Sequence, residues 1–495
     1  MNFANFMNFI SSKIGLIGLA VMGQNLARNI ARNKFRISVF NRTTETTNKF
    51  IKEFGNEYLV GAKNLKEFVD SLEKPRKIIL LVQAGKPVDA VIENLKPLLD
   101  SNDIIIDLGN SYYKDTQRRF LEIQKQGFKF IGSGVSGGEE GALNGPSLMP
   151  GGDRKSWLQI KDIFEKISAK DFSGNPCVTY IGDNGAGHFV KMVHNGIEYG
   201  VMQMMSEAYD ILRKVYKLKA PKIAKIFQKL SKGKLNSYLF DISMTVLSKK
   251  DELSENNLID MILDKASQKG TGSWTAIDAL QRGVNLSSIA ESVFARCVSG
   301  QKDKRMKLSK IFQNNSKFNS RSSLGQNSKF IISLDKFVAI LENALYCGML
   351  SSYAQGFDLI QNAMTEENWQ IDLAEISRIW EGGCIIRAEI LNFLHKAFLS
   401  CHSYGGTNFN SPHLFEIDGI KQAMENSVPD LRELCAFGIL NGIAMPSLTT
   451  ALSYFDSITS EKLPANFIQG LRDYFGAHTY ERIDKKGAFH SQWNG

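Results

Sequence analysis

The chain has 495 residues, about three times an ordinary domain length, which excludes a lone small module and predicts two or three domains. Apolar residues make up 43% and charged residues 22%, so disordered and collagen-like chains are excluded as well. The formal charge is +9, but a net +7 falls between Lys302 and Lys329, where eight basic residues meet one acid, Asp303.

At the start, Lys13 followed by IGLIGLAVMG imitates the basic flank and apolar core of a leader peptide. Gln24, Asn25, Arg28, Asn29 and Arg32 then follow at helical spacing without a small-residue cleavage site, which predicts the first strand and helix of a folded domain instead. Strands are predicted at Lys13–Ile17, Arg36–Phe40, Lys77–Val82, Asp103–Asp107, Lys129–Gly132 and Cys177–Ile181. Amphipathic helical stretches lie between most of them, as βαβ units of a parallel sheet require. After Gly187 the apolar spacing changes to three and four residues, from His188 to about Lys214 and again through Ile331–Leu399, which predicts a nearly all-helical region. Within that region the basic 302–329 stretch is rich in Ser and Asn, with Phe312 and Phe318 as its aromatics. It reads as a solvated loop or hairpin, and no nucleic-acid partner is expected. From Leu463 onward the chain is polar and aromatic, with too little periodicity for a domain.

The expected architecture is an α/β N-terminal domain over residues 1–185, a large all-α domain over 186–462 and an extended C-terminal tail over 463–495. Six scattered cysteines, with no Cys-x-x-Cys pair and no His at zinc spacing, predict free thiols, no metal site and a cytoplasmic setting. No apolar run approaches the roughly 18 residues of a membrane span.

After the first predicted strand comes Gly18-Leu19-Ala20-Val21-Met22-Gly23, then a helix from about Gln24. This is a G-x-A-x-x-G form of the Rossmann dinucleotide fingerprint: Gly18 for the tight turn, Ala20 for close approach of a pyrophosphate, Gly23 for helix–strand packing. The helix N-terminus offers unpaired N–H groups to phosphates. A glycine-rich turn without a ligand is the plainer alternative. The second strand ends in Asn41-Arg42-Thr43, where NAD-binding chains place an acid for the ribose 2′-hydroxyl. A neutral residue followed by an arginine, which can pair with a 2′-phosphate in bidentate fashion, points to NADP.

Between Gly185 and Tyr199, Lys191, His194, Asn195 and Glu198 fall at i, i+3, i+4 and i+7, on one helical face. On spacing alone a solvated face with a Lys–Glu pair is as good a reading as a site. Such a lysine and carboxyl suit an alcohol oxidation followed by loss of CO2. A desolvated lysine takes the alcohol proton as hydride leaves and returns it to the new carbonyl, so a β-keto acid decarboxylates without a metal, and the carboxyl protonates the enediol.

With these motifs stand AGKPVD, GNS followed by Asp115-Thr116, GSGVSGGEEGA with GPSLMPGG, QKGTGSW, VFAR, SYAQGF, GGCIIR, ALSYFDS and LPANFIQGLRDYFGAHTYER. In this order and across the whole chain, they make the sequence resemble the 6-phosphogluconate dehydrogenase family, the decarboxylating NADP enzymes of the pentose phosphate pathway. The resemblance implies Lys191 as general base and Glu198 as general acid. It implies Asn110 between nicotinamide and substrate, and Ser136, Gly137 and Gly138 at the carboxylate end of 6-phosphogluconate. His194 and Asn195 fall to the sugar-acid hydroxyls. Tyr199, Lys269, Thr271, Arg296 and Arg472 fall to the phosphate, with His478 nearby. Gly18, Leu19, Ala20, Val21, Met22, Gly23, Asn41, Arg42, Thr43, Val82, Gln83, Ala84 and Asn110 fall to NADP. It further implies a homodimer in which the tail carries Arg472 and His478 into the partner's site.

The chain departs from the family pattern at Leu108, Leu143, Val201, Ser273 and Glu381. Two alternatives stand beside the resemblance. Other β-hydroxyacid dehydrogenases share the fingerprint and lysine but are shorter and lack the phosphate set. An idle binding protein would have no use for Lys191 and Glu198.

Overall fold

The computed structural model describes residues 11–268, 270–313, 332–402 and 412–493. Up to Ile167 the chain runs β1 (Ile14–Ile17), α1 (Val21–Arg32), β2 (Ile37–Phe40), α2 (Thr44–Phe54), β3 (Leu59–Gly61), α3 (Leu65–Asp70), β4 (Lys77–Leu80), α4 (Lys86–Leu95), β5 (Ile104–Asp107), α5 (Tyr113–Gln124), β6 (Lys129–Ser136), α6 (Gly138–Asn144), β7 (Ser147–Gly152) and α7 (Arg154–Ile167). The sheet order is β3-β2-β1-β4-β5-β6-β7, and all pairs are parallel except β6 with β7. β1, β4 and β5 are buried at every residue, which is why they are dominated by Ile and Leu rather than alternating with polar residues. One apolar cluster packs each face, built around Leu26, Ile30 and Phe164 on one side and Phe68, Val88 and Ile92 on the other.

Two strand expectations change. Cys177–Ile181 is not a strand but runs beside β7, bridging it at Leu148–Val178 and Gly151–Gly182. Leu148 N donates to Cys177 O at 3.0 Å and Ile181 N to Pro150 O at 2.8 Å. Between them Pro150 has no N–H to give, so the ladder is interrupted. The last strand is instead β7, which folds back antiparallel on a β6 that extends to Ser136. Its sequence, SLMPGG, carries a proline and two glycines and lacks any strand signal.

The helical part contains α8 (Ala186–Lys214), α9 (Ala220–Leu230), α10 (Tyr238–Ser248), α11 (Leu258–Met261), α12 (Thr271–Arg282), α13 (Ser287–Gly300), α14 (Lys302–Gln313), α15 (Leu334–Glu366), α16 (Leu373–Ile379), α17 (Glu389–His402), α18 (Asp418–Leu440) and α19 (Pro446–Ile458). α8 and α15 pass through a single large core with about two thirds or more of their residues buried. The basic stretch begins not as a loop but as α14, whose Lys302 and Arg305 bond Asp264. Its remainder, including Phe318, lies outside the described residues.

The tail is not extended throughout. It forms α20 (Ala465–Gly476) and a ribbon of β8 (Tyr480–Glu481) with β9 (Ala488–Phe489). Fully buried Asp473 organises it, accepting from Thr479 N at 3.0 Å, His490 Nδ1 at 2.9 Å, Ser491 N at 3.1 Å and Trp493 Nε1 at 2.8 Å. One carboxylate does here what an apolar core does elsewhere, which periodicity could not reveal.

Candidate active site

The strand order reverses beside β1, and there a crevice opens at the C-terminal ends of β1 and β4. Gly18 has φ +107°, and a Cβ on it would lie 2.4 Å from Leu81 O, so the turn admits no side chain. Leu19 N donates to Asn41 Oδ1 at 3.1 Å, which locks the fingerprint loop onto the end of β2. α1 starts at Val21 behind Ala20, and no side chain caps it, so its first N–H groups face the loop. The cleft, about 760 Å³, is lined by Gly18, Asn41, Arg42, Thr43, Val82, Gln83 and Lys86 among others. An uncapped helix end, a turn bare of side chains and a solvent-facing arginine fit a dinucleotide with a 2′-phosphate. Asn41 serves by holding the loop.

Beyond β5, Gly109, Asn110 and Ser111 form a turn pinned from below. Asp107 accepts from Gly109 N at 2.9 Å and Ser111 Oγ at 2.6 Å, leaving the Asn110 side chain exposed.

α8 brings the catalytic candidates against β6. A Cβ on Gly134 would lie 2.3 Å from Lys191 Cβ, so the lysine stem passes over the strand only because Gly134 is bare. The four residues of the predicted face do come together. His194 Nδ1 is 3.3 Å from Lys191 Nζ, 3.2 Å from Asn195 Oδ1 and 3.9 Å from Glu198 Oε2. His194 Nε2 lies 3.2 Å from Ser136 Oγ, which also accepts from Ile385 N. Trp380 closes the other side of the imidazole with ring centroids 5.4 Å apart.

The face is not solvated: Lys191 is 5% exposed and His194 fully buried. Burial pulls the Lys191 ammonium down to about 8, against the opposite pull of Glu198. Burial also raises the Glu198 carboxyl, with Lys191 and Arg296 limiting the rise. His194 is held well below its ordinary range by burial and by the Lys191 charge, so it stays neutral. A lysine whose proton is loosened beside a carboxyl whose proton is held more tightly than usual has the makings of an acid–base pair.

One and two turns further on, α12 and α13 close the site. Gly272 packs directly on the Tyr199 ring, and the Arg296 guanidinium stacks 3.4 Å from its centroid. Thr271 opens α12 behind Gly270, whose φ is +100°. Tyr199, Thr271 and Arg296 are therefore grouped beside Glu198. Lys269 lies outside the described residues. Gly137 and Gly138, with Ser136, turn the end of β6 into α6 toward Ile385. Arg472 and His478 stand apart on the tail, both exposed, with Arg472 bonded to Gln469.

Sequence reasoning missed Asp107, which pins the Asn110 turn, Arg119, which reaches Ser111 of that turn, and Trp380 beside His194, all of them buried. An isolated acid or arginine among strands and helices carries no spacing signal. Of the departures, Leu108 and Val201 are core residues. Leu143 lines a cleft beside Gly137. Ser273 bonds Gln268, and Glu381 accepts from Phe172 N and His395. Among the described residues no group of three or more His, Cys, Asp or Glu could hold a metal, no helix is long and apolar enough to cross a membrane, and all six cysteines are free.

Residues 13–182 match the model of the NAD binding domain of 6-phosphogluconate dehydrogenase, and 187–493 match that of the C-terminal domain. The chain is 46% identical over 485 residues to the NADP(+)-dependent, decarboxylating 6-phosphogluconate dehydrogenase of Bacillus subtilis, covering 97% of this chain and 99% of the relative. It is 46% identical over 481 residues to the decarboxylating enzyme of Escherichia coli, with the same coverage. The Plasmodium falciparum 6-phosphogluconate dehydrogenase, solved in its apo form and with NADP+ and 6-phosphogluconate, superposes with a TM-score of 0.89. That structure is 41% identical and covers 97% of this chain and 100% of its own.

Proposed function

The chain belongs to the 6-phosphogluconate dehydrogenase family, and from that premise we propose that it converts 6-phospho-D-gluconate to D-ribulose 5-phosphate and CO2 with reduction of NADP, using the buried Lys191–Glu198 pair as base and acid. The observation that carries the residue assignment is a 5% exposed lysine, brought to about 8, on one helical face with a carboxyl whose affinity for its proton is raised.

NADP, when bound, would supply the hydride acceptor; the cleft from Gly18 to Arg42 would hold its phosphates, and Val82, Gln83, Ala84 and Asn110 would lie toward its nicotinamide. Neutral Lys191 takes the C3 hydroxyl proton as the C3 hydrogen leaves with its electron pair. The ammonium then returns that proton to the C3 carbonyl oxygen while the C1–C2 bond breaks, its electrons forming the C2–C3 double bond and CO2 departing. Glu198 protonates C2 of the enediol, and Lys191 takes back the C3 hydroxyl proton as the ketone forms. Ser136, Gly137 and Gly138 hold the carboxylate, His194 and Asn195 the hydroxyls, and Tyr199, Lys269, Thr271 and Arg296 the phosphate.

Arg472 and His478 serve the site of a second copy. Supporting this, α20 exposes Phe467, Ile468, Leu471 and Phe475, and α12 and α13 expose Leu280, Phe294 and Val298. Apolar surface of this extent is characteristic of a subunit interface. The free thiols suit a cytoplasmic enzyme.

NADPH formation with equimolar CO2 release from 6-phosphogluconate tests the reaction; NADPH without CO2 would overturn it. Mixing Arg472→Ala with Lys191→Met chains tests the shared site. One site of each heterodimer then has both residues, so activity returns. Subunit exchange seen by sedimentation without returning activity would assign the tail to its own subunit.

A further inference from the structure

Side chains of helix α5 reach several separate parts of the chain. Tyr113 Oη donates to Asp278 on α12 at 2.6 Å. Thr116 Oγ1 lies 2.7 Å from His188 Nδ1, on the first turn of α8. Gln117 donates to Glu367 at 2.8 Å, just past α15. Arg119, 1% exposed, turns the other way, toward the C-terminal ends of β4 and β5. Its Nε donates to Asp89 Oδ1 at 2.7 Å and its Nη2 to Gly85 O at 3.0 Å. Its Nη1 meets Ser111 Oγ at 3.4 Å and Asp107 Oδ2 at 3.5 Å.

We propose that Arg119 is a positioning residue for hydride transfer: its buried guanidinium fixes the gap between the Gln83–Gly85 and Gly109–Ser111 turns, and Thr116 with His188 keeps that gap in register with Lys191. This rests on the reading that Asn110 and Val82–Ala84 flank the nicotinamide.

Three features support it. A buried cation is a poor way to stabilise a fold, since an apolar side chain of similar volume avoids its desolvation. The Arg119 contacts gather at the cleft end of the sheet: Gly85 O and Ser111 Oγ in the two turns, Asp89 in the first turn of α4 and Asp107 at the last residue of β5. Its two anionic partners are separate: Asp89 begins the helix that walls the cleft, while Asp107 holds the Asn110 turn through Gly109 N and Ser111 Oγ. Bidentate reach across both turns requires the planar fork of arginine. Hydride transfer is steep in donor–acceptor geometry, so a small widening of the slot has a large effect on rate.

The test uses full-length Arg119→Met, Arg119→Lys and Asp89→Asn enzymes. The measurements are kcat, the deuterium isotope effect with 6-phosphogluconate labelled at C3, and affinity for 2′,5′-ADP, which reports the Arg42 end alone. Arg119→Met is expected to lower kcat about 10–100-fold and raise the isotope effect, as hydride transfer becomes limiting. Affinity for 2′,5′-ADP stays within about twofold, the two sites being independent. Arg119→Lys restores little. Asp89→Asn, at a carboxylate one-third exposed, moves kcat and the isotope effect the same way by less, and it decides the matter if Arg119→Met does not fold. Unchanged isotope effects in the folded Arg119 and Asp89 variants overturn the proposal. Asn110→Ala separates the two failures. If it impairs hydride transfer while those variants do not, the Arg119 role alone falls. If it too is indistinguishable from wild type, the placement of the nicotinamide falls with it.

Discussion

The first four turns of α8 and the C-terminal tail both carry charged candidate site residues on a helix, yet they are built on opposite terms. Around Lys191 the chain supplies its own walls: Gly134 beneath, Trp380 beside His194, Tyr199 and α12 beyond. The titrating groups are therefore desolvated by their own subunit, and their proton affinities are displaced within it. The tail gathers around one carboxylate, Asp473, and leaves its apolar side chains and Arg472 in solvent. Chemistry that depends on burial needs walls from its own chain, whereas on the proposed shared site the phosphate is met by a flexible-stemmed arginine from a second copy.

Four experiments break or sharpen that contrast. The largest effect is expected from Lys191→Met. Turnover should fall by at least about 10²–10⁴-fold, since one group serves several proton transfers, while the oligomer seen by sedimentation stays unchanged. A tenfold loss or less would remove Lys191 from the chemistry.

Arg472→Ala should instead act on binding. Loss of a charge-assisted contact worth about 1.5–3 kcal/mol predicts a KM for 6-phosphogluconate raised about 10–150-fold with kcat largely retained. A fall in kcat at unchanged KM would contradict the division of labour.

The pH profile separates the two regions further. In the proposed mechanism Lys191 starts neutral, and with its proton affinity at about 8, kcat/KM should lose about tenfold per pH unit below that value. Glu198, His194 and Cys384 face it. His194 stays neutral through this range and burial raises the Cys384 thiol to about 12, so neither adds a limb there. A flat profile from pH 6 to pH 8, taken as roughly the working range, would refute the desolvated lysine.

The smallest effect on the whole protein belongs to Asp473→Asn. Burial disfavours the Asp473 charge, but His490, Ser491, Trp493 and Thr479 outweigh it and hold the carboxyl at about 2. Its folded affinity being depressed, its contribution is present above the ordinary carboxylate range and is lost as pH falls toward that value. The variant should melt within about two degrees of wild type while losing hydrogen-exchange protection over residues 477–493. Unaltered protection would show that the ribbon holds without the carboxylate.

Local rules were enough for much of this protein. The G-x-A-x-x-G turn, the Arg42 position and the i, i+3, i+4, i+7 face of α8 depend on backbone geometry within one or two turns, and that geometry is written in residue order. The same holds for the buried parallel strands, whose Ile/Leu runs follow from being covered on both faces. β7 was not legible, because its pairing with β6 depends on a neighbour and its Pro and Gly residues argue against any strand. Nor was the tail's fold, which hangs on one aspartate with partners up to 20 residues away. Whether the Lys191 face was wet or dry could not be read from spacing at all, since the same stripe serves as a solvated helix surface in other settings. Only the arrival of Gly134, Trp380 and α12 from distant parts of the chain removed the water, and desolvation by those neighbours is what displaces the lysine toward neutrality.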